Sequence, residues 1–333
     1  MSTLLSTYDA LLFDLDGTVW KGGAPIPNAV ETINQAATTG IGIMYITNNA
    51  SNAPQVVADK LGAMNISTDA AHVMTSAQAA IELAAQHLAP GTKVLVLGTD
   101  SFRDLARAAG YEVVFSADDA PEAVFHGHNP ETGWAQLSEA ALAIQRGARY
   151  FASNLDATLP QERGNMVGNG SMIQAVVHAT GVVPTSAGKP QPPMFHSAAA
   201  KLGATKPLGV GDRLDTDIAG GNAAGYDSLH VLTGVSGHYA LLNAKRAERP
   251  SFIGADLTAL NEAPEDLAPH AQGGFTASAN GNVITLSGGS ADQPADHLAA
   301  LRTVLALAWQ EDRTDWEVKA EGATAQSALE QWW

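Results

Sequence analysis

Ala10-Leu11-Leu12-Phe13-Asp14-Leu15-Asp16-Gly17-Thr18 is the stretch on which the fold turns. An apolar run leads straight into two acids spaced i, i+2, and a glycine then permits a tight exit. In extended backbone, residues two apart point to the same face, so both carboxylates can address one reacting centre. A turn in which one Asp caps the following helix is the bland alternative. An EF-hand loop is excluded, because the positions after Asp16 supply no further acids in register.

Working outward, runs of the same kind recur at Ile41 to Ile46, Lys93 to Leu97 and Ser228 to Leu232. Between them lie alanine-rich stretches with helical spacing: Ala29 to Thr39, Ala53 to Leu61 and Met194 to Leu202. Strands that are apolar on both faces and alternate with helices predict an α/β fold with a parallel sheet. Gly110, Gly181 and Gly203 read as left-handed stops just past helices. Asn261 to Gly274, rich in proline, glycine and acid, reads as a linker. Beyond it, a hairpin turning at Asn280-Gly281-Asn282 and a helix from Asp296 to Trp309 predict a small α+β tail domain. Trp309, Trp316, Trp332 and Trp333, four of the chain's six tryptophans, fall there and are expected to pack that domain or a subunit contact.

The chain has 333 residues, enough for two or three domains, and carries 34 acidic against 18 basic side chains for a formal charge of -16. A surface that negative disfavours nucleic acid and anionic lipid as partners. It still admits a small anionic substrate, because a divalent metal can invert the potential within one pocket. There is no cysteine, so disulfides and zinc–thiolate sites are excluded. No basic start with a long apolar run opens the sequence, and no apolar stretch reaches the roughly 20 residues that span a bilayer. A cytoplasmic location is the expectation.

Three further motifs sit at or near strand ends. Tyr45-Ile46-Thr47-Asn48-Asn49 offers a hydroxyl and an amide that can donate to phosphate oxygens. Gly188-Lys189-Pro190 places one cation in a constrained turn. Leu208-Gly209-Val210-Gly211-Asp212-Arg213-Leu214-Asp215-Thr216-Asp217-Ile218 clusters three acids, the hard oxygen donors that Mg²⁺ prefers. Its Gly-x-Gly start lacks the third glycine of a dinucleotide loop, and Asp212 would repel a pyrophosphate. His126 and His128 have no third ligand nearby in sequence and read as structural.

Taken together, Asp-x-Asp-Gly-Thr at Asp14 to Thr18, Thr47-Asn48-Asn49, Lys189 and Gly-Asp-x-x-x-Thr-Asp at Gly211 to Asp217 resemble the haloacid dehalogenase superfamily of phosphohydrolases. The similarity is to the branch of NagD-like, 4-nitrophenyl-phosphate, phosphoglycolate and glycerol-3-phosphate phosphatases, and covers roughly residues 8–256. That resemblance implies a Rossmann-like parallel-sheet core at residues 1–78 and 187–262, with an inserted α/β cap of the C2 type at 79–186. Residues 263–333 would be a linker and a small domain similar to the truncated acetyltransferase-like fold of actinobacterial glycerol-3-phosphate phosphatases. No acetyl-CoA pyrophosphate loop is evident in it, so it is expected to be structural, and its removal to leave the chemical step intact.

The resemblance also implies roles. Asp14 would be the nucleophile and Asp16 the general acid and base. Asp14 and Asp212, with the main-chain carbonyl of Asp16, would ligate Mg²⁺, and Asp217 would orient the site from behind. Thr47, Asn48 and Lys189 would hold the transferring phosphoryl group. His126-Gly127-His128-Asn129 departs from the branch's usual cap sequence, which leaves the choice of leaving group open. Glycerol 3-phosphate is the leading substrate, ahead of phosphoglycolate and of sugar or nucleotide monophosphates. A phosphomutase or phosphotransferase would share the chemistry of Asp14. A receiver domain would lack Asp16 and is normally a single domain of roughly 100–150 residues, and a silent phosphoester-binding module would not need the acids. The cap and the tail are the surfaces through which a homo-oligomer could form.

Overall fold

The computed structural model describes residues 2–161, 163–290 and 296–333. The chain divides into two compact units, one made of residues 1–44, 64–66 and 202–333, the other of residues 45–63 and 67–201.

In the first unit, the strands Phe252–Gly254, Asp227–Val231, Pro207–Gly211 and Ala10–Phe13 lie side by side in that order, all parallel. Every residue of Ala10–Phe13 and of Pro207–Gly211 is buried, as expected when both faces of a parallel sheet are covered. Phe13 is in register with Val210, and the Asp14 N–H donates to the Val210 carbonyl at 2.8 Å. The chains therefore leave the sheet at the same end, with Asp14 after one strand and Asp212 after its neighbour. The helix Ala29–Thr38 buries Ala29, Thr32, Ile33 and Ala36, one face at helical spacing.

The tail in this unit is a three-stranded sheet of Phe275–Asn280, Val283–Gly288 and Glu317–Glu321 with helices His297–Ala308 and Ala323–Leu329. The expected hairpin is present: Asn280 pairs with Val283, and Gly281 takes φ +64° in the turn between them. The stretch read as a linker is mostly exposed, with Ala263 and Leu267 buried. It holds the helical turn Pro264–Leu267, and Leu267 is fully buried. Nor does the tail have a core of its own. Phe275, Ile284, Leu301, Leu305, Trp316 and Trp332 share one hydrophobic cluster with Leu214, Ile218, Leu241, Leu242 and Ile253. Arg302 is buried there and donates through Nε to the Ile253 carbonyl at 3.1 Å.

The second unit holds a five-stranded parallel sheet in the order Thr185–Ser186, Arg149–Ala152, Ala123–His126, Lys93–Leu97, Glu112–Val114. Phe125 packs at its centre against Phe102, Tyr111 and Phe151, with ring centroids 5.7 to 6.1 Å apart. The end of the strand Gly42–Thr47 also belongs here and runs parallel to Val73–Thr75, with Thr47 opposite Thr75. Thr75 then caps the helix Ser76–Ala85 in a box closed by Gln78. Gly110 and Gly181 adopt φ +89° and +72°, the left-handed stops read from the sequence. Among the described residues no helix is long and apolar enough to cross a membrane.

Candidate functional site

The acids at the two strand ends meet. One carboxylate oxygen each from Asp14, Asp212 and Asp217 lies within 4.8 Å of the others, and all three residues are buried, at 7%, 0% and 5% exposure. Like charges at that spacing repel by on the order of 3 kcal/mol per pair, even at an effective dielectric constant of about 20. Such a cluster fits a hard divalent cation, which would offset the repulsion with the oxygen donors it prefers.

The local chain is shaped around these groups. Val235 N–H donates to Asp212 Oδ2 at 2.7 Å, and Thr18 Oγ1 reaches Oδ1 at 3.4 Å. Space beside Asp212 is reserved by glycine: a Cβ on Gly17 would sit 2.5 Å from Oδ2, and one on Gly234 only 1.9 Å away. Asp217 arrives on a wide helical turn of π type, Leu214–Ile218, and accepts the Arg213 N–H at 3.0 Å. Asp215, the remaining acid of that motif, turns out to solvent and pairs with Arg213 at 2.9 Å. Below the cluster His230 is fully buried and donates from Nε2 to the Ser236 carbonyl at 2.9 Å. Burial pushes its pKa down to about 4, against an upward pull from Asp217.

Asp16 behaves differently from its partner two residues earlier. It is exposed, and its Oδ1 accepts the indole N–H of Trp20 at 2.7 Å. The side chain is thereby held out of the metal-like cluster while remaining open to solvent.

The motifs around Thr47 and Lys189 form a second constellation within their own unit. Thr47 is 4% exposed and accepts the Asn49 N–H at 3.1 Å. Lys189 is also 4% exposed, and its Nζ reaches the Ile46 carbonyl at 3.4 Å. The Asn48 amide, expected to donate to phosphate, is engaged with protein instead. Its Nδ2 donates to the Lys189 carbonyl at 3.0 Å and to Asp156 Oδ2 at 2.9 Å, while its Oδ1 accepts the Lys189 N–H at 2.8 Å. Asn48 thus clamps the main chain of Lys189. Gly188 makes the approach feasible, since a Cβ there would lie 2.3 Å from the Ser153 carbonyl. Asp156 also accepts from Asn154 at 2.6 Å, and Asn154 is tied in turn to Asn169.

Asp156, Asn154, Asn169 and Trp20 carry no role in the sequence reading. Asn154-Leu155-Asp156 has an i, i+2 polar spacing that could have drawn attention, and Thr233 to Ser236 follow a strand end, where ligands of parallel sheets gather. Trp20 gave no signal beyond its proximity to Asp16. His126 and His128 do not converge: His126 Nδ1 is 2.8 Å from the Tyr150 hydroxyl, whereas His128 lies against Ser51.

Residues 11–112 match the haloacid dehalogenase-like hydrolase family, residues 186–260 match a second HAD-hydrolase-like family, and residues 272–332 match a GCN5-related N-acetyltransferase-like domain. The D-glycerol 3-phosphate phosphatase of Mycobacterium tuberculosis is 39% identical, with 100% of this chain and 96% of that protein covered. The chain belongs to the haloacid dehalogenase-like hydrolases. Within that family, the acid sugar phosphatase of Staphylococcus saprophyticus is 34% identical over 76% of this chain and 96% of its own length. The crystal structure of the glycerol phosphate phosphatase from Mycobacterium tuberculosis in complex with magnesium superimposes with a TM-score of 0.93, at 39% identity, covering 100% of this chain and 99% of that one. The similarity to that structure thus spans the whole chain, the acetyltransferase-like tail included.

Proposed function

We propose that this hydrolase is a Mg²⁺-dependent phosphatase that cleaves glycerol 3-phosphate to glycerol and inorganic phosphate. The observation that carries the reading is the convergence of Asp14, Asp212 and Asp217 within 4.8 Å at the ends of neighbouring parallel strands. Asp14, Asp212 and the Asp16 carbonyl would hold Mg²⁺, with Asp217 orienting the cluster from behind. When bound, the ion supplies charge neutralisation for the phosphoryl oxygens, which is what phosphoryl transfer chiefly requires.

The protein groups divide the remaining work. An Asp14 oxygen attacks phosphorus, the ester P–O bond breaks, and Asp16 gives its proton to the departing alkoxide. Asp16 then takes a proton from water, whose oxygen attacks the aspartyl phosphate, and phosphate leaves with Asp14 restored. Thr47 and Lys189 are assigned to the phosphoryl group, and Asn48 to holding Lys189. Residues 79–186 are read as the cap, residues 1–78 and 187–262 as the core, and residues 263–333 as the appended domain.

Glycerol 3-phosphate is favoured because the relative carrying that activity matches over the entire chain. An acid sugar phosphatase among the relatives supports the second reading, a broader sugar, nucleotide or phosphoglycolate phosphatase. A small phosphorylated metabolite is the partner in either case. The cysteine-free sequence suits a reducing cytoplasm, where we place the enzyme.

The test is phosphate release from glycerol 3-phosphate, phosphoglycolate, sugar phosphates and 4-nitrophenyl phosphate, with Mg²⁺ or with chelator. Mg²⁺-dependent release is expected, with the highest kcat/KM on glycerol 3-phosphate, and Asp14→Asn should abolish it while remaining folded. Wild-type turnover by Asp14→Asn would overturn the nucleophile. Phosphoryl transfer to an added alcohol in place of water would overturn the hydrolase reading.

A further inference from the structure

One short segment joins the acidic cluster to the end of the tail. At its start, the Thr233 hydroxyl donates to the Gly17 carbonyl at 2.5 Å, and Val235 N–H donates to Asp212 Oδ2. Ser236 N–H donates to the Asp212 carbonyl at 3.2 Å, and the Ser236 hydroxyl accepts the Leu214 N–H at the same distance. One residue further, Gly237 lies against Trp333: a Cβ at Gly237 would sit 2.4 Å from both the indole Cε3 and the main-chain oxygen of that tryptophan. Gly237 has φ −92°, open to any residue, so glycine is required there for room and not for backbone shape.

The far end of the segment is fastened just as closely. The His238 ring stacks on Trp332 at 5.5 Å and 18°, and His238 Nε2 lies 2.8 Å from His297 Nδ1. Tyr239 N–H donates to the Trp333 oxygen at 3.3 Å. A segment pinned to Asp212 at one end and to the tryptophan pair at the other can transmit the fit of the tail to the carboxylate.

We propose that Trp332 and Trp333 are positioning residues for the metal site, acting through the segment Thr233 to His238 on the orientation of Asp212. The tail is then a working part of the phosphatase and not only a packing module. This inference rests on the reading of Asp212 as a Mg²⁺ ligand. Binding needs carboxylates held within about 0.5 Å of the productive geometry, so a loosened support weakens the ion before it unfolds the protein.

Trp333 is 51% exposed and can be replaced without opening a core, whereas Trp332 is 7% exposed. The experiment therefore uses the full-length chain with Trp333→Ala, Trp333→Phe and Gly237→Ala, the last forcing the segment and the tryptophan apart from the opposite side. Mg²⁺ affinity is read by calorimetry on the folded proteins, alongside the Mg²⁺ concentration for half-maximal phosphate release. Trp333→Ala and Gly237→Ala are expected to weaken Mg²⁺ by roughly five- to tenfold, or about 1–1.4 kcal/mol. Trp333→Phe should restore most of the affinity, and KM for the ester at saturating Mg²⁺ should stay within about twofold of wild type. Wild-type Mg²⁺ affinity in both folded variants would overturn the inference while leaving the phosphatase reading in place. Failure of the wild type itself to bind Mg²⁺ would overturn both.

Discussion

The indole N–H of Trp20 donates to Asp16 Oδ1 across 2.7 Å, and the two residues also meet as an isolated β-bridge. A hydrogen bond to a charged group contributes about 1.5–3 kcal/mol. Trp20→Phe keeps the bulk and removes the donor, so kcat should fall roughly tenfold with KM little changed. Asp16→Asn should cost on the order of 10³-fold, and adding Trp20→Phe to it should cost nothing more, since the two act as one unit. Steady-state kinetics on the four proteins checks this; additive losses would show that Trp20 acts elsewhere.

The crowded carboxylates predict an unusual stability signature. With chelator present, Asp14→Asn should raise Tm by roughly 2 °C or more, because it removes one charge from a buried like-charged trio. Mg²⁺ should raise the Tm of the wild type through binding linkage and do so much less for the variant. A fall in the chelated variant's Tm would show that repulsion is not what dominates there.

Asp156 is predicted to act at a distance on the Lys189 turn, through Asn48. Asp156→Ala leaves amide donors of Asn48 and Asn154 short of an acceptor and should cost about 1–3 kcal/mol in urea unfolding. KM for the phosphoester should rise at the same time. Asp156→Asn, which retains one acceptor oxygen, should lose less on both measures; equal losses would point to the charge and not the hydrogen bonds.

Buried histidines set a pH dependence. Burial holds His126 down to about 3 and His238 down to about 4, with His297 adding to the lowering of His238. Both lie below the unfolded value of about 6.5, so the unfolded chain binds more protons in between. Their stability contribution is complete above about pH 6.5 and is lost as pH falls, toward about 3 for His126 and about 4 for His238, at up to about 1.4 kcal/mol per pH unit for each group. Urea unfolding of wild type and His126→Gln between pH 7.5 and 5 isolates one of them, and the variant's curve should be flatter. Parallel curves would mean that His126 does not stay neutral in the folded protein.

The legible part of this molecule was written in local pattern. Ala10–Phe13 announced itself as a buried strand, and the acids at its end stood where parallel sheets present ligands. Gly110 and Gly181 marked helix ends because only a residue without a Cβ turns left-handed cheaply. Partnerships made across the chain left no such trace. The pairing of Asn48 with Asp156 spans 108 residues, and nothing near either position implies the other. The stretch from Asn261 to Gly274 has a linker's composition, yet Leu267 is buried, because composition reports turn propensity and not what packs on top. The tail likewise reads as a detachable module, until Leu214 and Ile218, inside the acidic motif, are found in the same hydrophobic cluster as Trp316 and Trp332.

Thr18 and Asp212, which touch, are 194 residues apart in the chain. During synthesis Asp14 therefore leaves the ribosome well before Asp212 and Asp217, the partners that complete the cluster, have been made. Closing so long a loop is slow, and such non-local contacts form late. The acidic cluster is thus assembled from the two ends of a long stretch of chain, and it cannot form until residue 217 has been made.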